Sequence, residues 1–196
     1  MKIQISQHAV HRKVVDGVYN THKMLLTLGE ERVTKHFKSA SKSTSRRYRI
    51  EKKALTLLRN TKGVPFLYES DDQTHTLEMS RLPGHSAKFL NEKNLKDLAV
   101  IVEDMLDVGI ARHSMPIRDV VVDEQDHVGL VDFERVTIRR HRWRPDWLIS
   151  KAVARFNLYR LTYLYQPQLL TPGQLLQIYI GSKLRVFVVF IHSLSK

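Results

Sequence analysis

The sequence predicts an α+β protein with a strand-rich front half and a helix-rich back half. Three observations carry that reading. Short alternating apolar runs crowd the stretch from Met24 to Leu82, one helical segment near Tyr48 interrupts them, and 3.6-residue periodicity dominates from Asn94 onward. With 196 residues and 42% apolar content, the chain can fold as one domain or as two small lobes.

The elements follow in order. Met24 to Leu28 and Arg32 to Lys38 flank Gly29-Glu30-Glu31, a hairpin signal. Ser39 to Ser45 is polar and reads as a loop, with Thr44 or Ser45 as the cap of a helix running to Asn60. Two further strands, Val64 to Ser70 and Thr74 to Leu82, are joined by Asp71-Asp72-Gln73. Leu82-Pro83-Gly84 reads as a hinge, which divides the chain into residues 1–82 and 83–196. A second helix runs from about Asn94 to Val108, with Leu95, Leu98, Val102, Met105 and Leu106 inward and Gly109 as a left-handed stop. Val120 to Val122 and Val128 to Val131 form a short strand pair. A helix then opens at Pro145-Asp146, with Trp147 or Leu148, Ala152, Phe156, Tyr159 and Tyr163 on its apolar side. Thr171-Pro172 opens the last helix.

Composition narrows the function classes. Lys and Arg total 32 against 20 acidic residues, a formal charge of +12. Such a surface attracts polyanions: nucleic acid, lipid headgroups or phosphorylated substrates. The chain contains no cysteine, which excludes disulfides and thiolate metal sites and favours a reducing compartment. The N-terminal stretch lacks the apolar core of a signal peptide, and no apolar run approaches the roughly 20 residues that span a bilayer. A cytoplasmic protein is expected, resting at most peripherally on the inner membrane leaflet. His8 and His11 read as surface residues rather than metal ligands.

Charged residues stand where patterning predicts burial. Alternation puts Lys35 on one face with Val33 and Phe37, and Glu51 falls on the helix stripe of Tyr48, Leu55 and Leu58. Either the two pair as a buried ion pair, or both stems reach out to solvent. Asp119 precedes the first strand of the short hairpin and Asp132 follows the second, so equal strands bring the two carboxylates together. Either they share a cation such as magnesium, or they cap turns and accept backbone hydrogen bonds.

This set, in this order, resembles the protein-kinase-like superfamily, above all small bacterial lipopolysaccharide-core sugar kinases and related phosphotransferases. The resemblance runs from about Val14 to Tyr165 and implies a two-lobed fold with a reduced helical C-lobe. Val33-Thr34-Lys35 is similar to the V-A-I-K lysine that contacts the α/β-phosphates, and Glu51 to its helix partner. Leu77 to Gly84, with Met79, resembles the hinge whose backbone would bond adenine, and Val131-Asp132-Phe133-Glu134 the D-F-G element with Glu for Gly. Lys35, Glu51 and Met79 are thereby expected to bind nucleotide, and Asp132 to bind Mg²⁺.

The loop matching H-R-D-x-x-x-x-N is Arg112-His113-Ser114-Met115-Pro116-Ile117-Arg118-Asp119. Asp119 stands at the asparagine, where it could ligate magnesium. Ser114 stands at the catalytic aspartate, and a serine hydroxyl is a very poor base near neutral pH. His113, beside it, is the candidate substitute. The front segment, Val15 to Lys23, has a single glycine where eukaryotic kinases have three.

The resemblance therefore implies ATP bound with Mg²⁺ and transfer to a sugar hydroxyl in lipopolysaccharide core, or else a pseudokinase that holds nucleotide and transfers nothing. The basic residues Arg135, Arg139, Arg140, Arg142 and Arg144 would suit an anionic sugar or lipid-sugar acceptor or the inner leaflet, or form a solvated loop. No nucleic-acid-binding motif is visible, so no specific nucleic acid is expected.

Overall fold

The computed structural model describes residues 17–38 and 41–194, with side chains through residue 183. His8, His11 and the start of the front segment lie outside the described residues. Contacts divide the described residues into two compact units, one holding those up to Lys88 with Pro116–Val136, the other Phe89–Met115 and those from Thr137 onward.

The first unit is built on a five-stranded antiparallel sheet. Its strands are β1 (Val18–Asn20), β2 (Met24–Leu28), β3 (Arg32–Phe37), β4 (Leu67–Asp71) and β5 (Thr76–Ser80), in the order β1-β2-β3-β5-β4. Helix α1 (Lys42–Leu57) buries Tyr48, Glu51, Ala54 and Leu55. Its cap is Ser41, whose side chain accepts from the Thr44 N–H, rather than Thr44 or Ser45. The stretch Ser39–Ser45 offers several hydroxyls of equal capping chemistry, and the helix extends back until Thr44 itself is buried. The turn between β4 and β5 is an Asx turn in which Asp71 accepts from the N–H groups of Gln73 and Thr74. Asp72 receives the Tyr48 hydroxyl at 2.6 Å and Lys52 at 2.8 Å, tying that turn to α1.

The same unit holds a second sheet of β6 (His85–Ser86), β8 (Val120–Val122) and β9 (Val128–Leu130), in the order β6-β8-β9. Gly84 makes the turn into β6. Its φ is +91°, and a Cβ there would stand 2.1 Å from the Val122 carbonyl oxygen, so only glycine fits. The sequence division at residue 82 groups this hairpin with the helices, whereas contacts group it with the first sheet. The reason is local: Leu130 N–H donates to the Gly63 carbonyl at 2.7 Å, and a Cβ on Gly129 would meet Leu82 at 2.5 Å.

The second unit contains α2 (Glu92–Val108), α3 (Pro145–Tyr165), α4 (Pro172–Leu194) and a two-stranded sheet of β7 (Ile110–Arg112) with β10 (Val136–Ile138). A capping box between Asn91 and Asn94 opens α2, and Gly109 closes it at φ +102°. The predicted inward set of α2 is buried, together with Ile101. On α3 the expected stripe is wrong in part. Trp147 is buried, but Ala152 is exposed, and the inward face is Ala154, Asn157, Leu158, Leu161 and Thr162. Half-exposed aromatics such as Tyr159 and Tyr163 imitated a core face, while a buried Asn and Thr, satisfied by hydrogen bonds, hid the true one. Among the described residues, no helix is long and apolar enough to cross a membrane.

Candidate active site

Lys35 lies on β3 opposite Leu26 on one side and Leu77 on the other, so its stem is walled by apolar residues. Residue 35 faces α1 because strand alternation puts it with Phe37. Glu51 stands on the buried face of that helix. Lys35 Nζ donates to Glu51 Oε2 at 2.6 Å and to Asp132 Oδ1 at 3.0 Å. The lysine and Glu51 side chains are 4% and 2% exposed, that of Asp132 15%. Glu51 Oε1 accepts the Phe133 N–H at 3.3 Å, so one carboxylate ties the sheet lysine to the segment after β9. Solvent-seeking stems, the alternative for Lys35 and Glu51, are thus ruled out.

A third carboxylate belongs to the cluster. Oxygens of Glu51, Asp132 and Glu134 lie within 4.8 Å of one another. Glu134 is paired with Arg47 at 3.4 Å. Burial alone would push the Lys35 ammonium down, but Asp132, Glu51 and Glu134 outweigh it and hold its pKa above the ordinary value, so the lysine stays charged. Burial raises Glu51, with Lys35 pulling against it. Against Lys35 and Arg47 the three carboxylates leave one negative charge in excess, and clustered hard oxygen donors fit a divalent cation such as magnesium.

Asp132 adopts φ +72°. Few non-glycine residues take this left-handed conformation, Asp and Asn being the tolerant ones, and it aims the side chain at Lys35. Asp119 is 4% exposed. Its carbonyl accepts from Val131 N–H at 2.9 Å, and Val120 pairs with Leu130, so the hairpin sets Asp119 opposite the residue before Asp132. Arg118 Nε approaches the Asp119 carboxylate at 3.8 Å.

Met79 sits on β5, in register with Val33 and Leu67, and is 6% exposed. A strand paired on both sides has its backbone committed, so the backbone groups of this segment that are open to a ligand begin beyond it. Arg81 N–H already donates to Glu31 O. A cavity of about 490 Å³ lies beside this segment, lined by Glu30, Glu31, Tyr68, Arg81, Gly84 and His85 among others; Lys35, Glu51 and Asp132 do not line it.

His113 and Ser114 belong to the second unit. His113 Nε2 is 2.8 Å from Thr137 Oγ1, and its carbonyl accepts from Asn157 at 3.1 Å. Buried Arg112 donates to the Ser114 carbonyl at 3.2 Å. Of the five basic residues, Arg139 is tied inward: its guanidinium donates to Asp107 O at 3.1 Å and stacks over Trp147. Arg135, Arg140, Arg142 and Arg144 are exposed.

Solved structures of WbdD share this arrangement of elements. One, a co-crystal of WbdD with the kinase inhibitor LY294002, is 20% identical, covers 76% of this chain and 38% of its own, and has a TM-score of 0.52. A second reaches 0.56 at 17% identity over 74% of this chain and 37% of its own. A third, of WbdD described as a bifunctional kinase-methyltransferase, reaches 0.51 at 17% identity over 71% and 34%. The chain has a protein-kinase-like fold. It spans little more than a third of the WbdD chains it matches. No protein-family profile and no curated protein matches the sequence.

Within the kinase-like fold, sequence reasoning missed two members of the charged cluster. Glu134 was read only as a replacement for glycine. Arg47 stands one helical turn before Glu51, and that i to i+4 spacing was the available signal.

Proposed function

We propose that the chain is an ATP- and magnesium-dependent phosphotransferase. The observation that carries the reading is one buried ammonium, Lys35, shared between a helix carboxylate and an aspartate held in a left-handed conformation. A structural ion pair needs one partner; a lysine held between two carboxylates is placed to give one of them up to a cation and take a phosphate oxygen in exchange. Asp132 and Asp119 are the residues that would hold magnesium, which when bound would neutralise charge on the β- and γ-phosphates. Lys35, kept charged and oriented by Glu51, would contact the α/β-phosphates, with Met79 behind the base. The acceptor in this reading is a sugar hydroxyl, of the lipopolysaccharide-core type or a similar anionic acceptor. His113, fixed by Thr137 and Asn157, is the group to take the acceptor proton in place of Ser114.

Ser114 favours a second reading, a pseudokinase that binds nucleotide as a regulator. One experiment addresses both. Mg-ATP is expected to raise the melting temperature, because a ligand that binds only the folded state stabilises it, and phosphate release should follow in the first case and not the second. No stabilisation by ATP with or without magnesium would exclude both readings.

A further inference from the structure

The segment between β10 and α3 carries an apolar group that the phosphotransfer reading does not use. Trp143 is 85% exposed, the largest exposure of any bulky apolar residue described. Leu148 and Ile149, in the first turn of α3, are 44% and 64% exposed. Trp147 points inward at 2% exposure, so the next two positions, about 100° and 200° further round the helix, face solvent. Arg140 and Arg142 are exposed on the same loop, while Arg144 is held by Asp146 at 3.1 Å. A soluble surface seldom gathers an exposed tryptophan and two aliphatic chains within seven residues.

We propose that Trp143, Leu148 and Ile149, flanked by Arg140 and Arg142, form a docking surface for an anionic lipid bilayer. Tryptophan, with an apolar body and a polar N–H, settles at the headgroup level. Leucine and isoleucine enter the acyl boundary, and arginines alongside meet lipid phosphates. The charge complementarity is general to the chain, whose net charge is +12. Single-stranded nucleic acid would also attract an arginine loop with a tryptophan, through base stacking. The two exposed aliphatic residues add nothing to stacking and gain from hydrocarbon, which decides for lipid. The surface lies wholly in the second unit and does not depend on nucleotide chemistry.

The chain supplies its own probe, for it has two tryptophans and one of them is buried. The emission of Trp143 is read as the difference between the full chain and Trp143→Ala. On phosphatidylcholine vesicles containing phosphatidylglycerol, that difference spectrum should shift to the blue and the chain should sediment with the vesicles; on phosphatidylcholine alone it should do neither. R140E/R142E and, separately, Trp143→Ala with Ile149→Ser should each lower the partition coefficient by about ten-fold or more. Leu176→Ser with Ile180→Ser, on an exposed face of α4, should leave it within about two-fold. The proposal is overturned by equal binding to neutral vesicles, by sedimentation without a change in Trp143 emission, by loss of binding in the α4 variant alone, or by no binding. It is equally overturned if a single-stranded oligonucleotide shifts Trp143 at lower concentration than the vesicles do.

Discussion

Lys35 Nζ stands 2.6 Å from Glu51 Oε2, and both side chains are almost wholly removed from solvent. A pair this dry is strongly destabilised when one partner is deleted, because the other charge stays buried. Lys35→Met should therefore lower the unfolding free energy by about 3–5 kcal/mol in urea titrations near pH 7. The pH dependence carries a clear sign. Folding raises the Lys35 pKa, so the stabilisation it brings is complete below its ordinary value of 10.5 and is lost as pH climbs beyond. That alkaline loss should be smaller in Lys35→Met. Glu51 is held above its ordinary 4.5 by burial even in the parent, and without its opposing lysine it should rise further, so the loss of stability as pH climbs above 4.5 should be larger in the variant.

Asp132 tests ligand against backbone. Asparagine tolerates the left-handed conformation at φ +72°, so on the phosphotransferase reading Asp132→Asn should lose its stabilisation by Mg-ATP and, of its own stability, only what the ion pair with Lys35 contributes. Asp132→Val should lose about 1–3 kcal/mol of stability besides, because a β-branched residue is strained there. Equal melting of the two variants would show that the aspartate conformation is unstrained.

On the phosphotransferase reading, Ser114→Asp would supply the carboxylate that the sequence resemblance expects at this point of the loop. A positioned base contributes about 10²–10⁴-fold. If the chain transfers phosphate slowly for want of one, ATP turnover with acceptor should rise at least about ten-fold. His113→Ala in the parent should lower it. Turnover at background in both would favour the pseudokinase.

Arg155 grips Glu103 through two hydrogen bonds, Nε to Oε1 at 2.8 Å and Nη2 to Oε2 at 2.6 Å, fastening α3 to α2. Both side chains are more than a third exposed, so solvent screening limits the pair. Glu103→Gln should cost under about 1 kcal/mol by urea unfolding. The Arg155 hydrogen bonds lower the Glu103 pKa, so its contribution is present above 4.5 and fades as pH falls through its folded value. The gap between parent and variant should close on acidification.

The α+β class, both main hairpins, the glycine stop of α2 and the inward placement of Lys35 and Glu51 were legible in the sequence. Each rests on period, turn chemistry or a charged residue on an apolar face, all properties of neighbouring positions. The short strands β1, β6, β7 and β10 were not legible, because no pair of apolar runs flanking a turn marks them, as Val120 to Val122 and Val128 to Val131 mark the equally short β8 and β9. Glu134 joining the cluster, the inward turn of Arg139 and the exposure of Trp143 were likewise decided by tertiary structure. Whether a charge is buried or an aromatic left in water depends on what other segments place beside it, and the local pattern around residues 134, 139 and 143 holds no record of those neighbours.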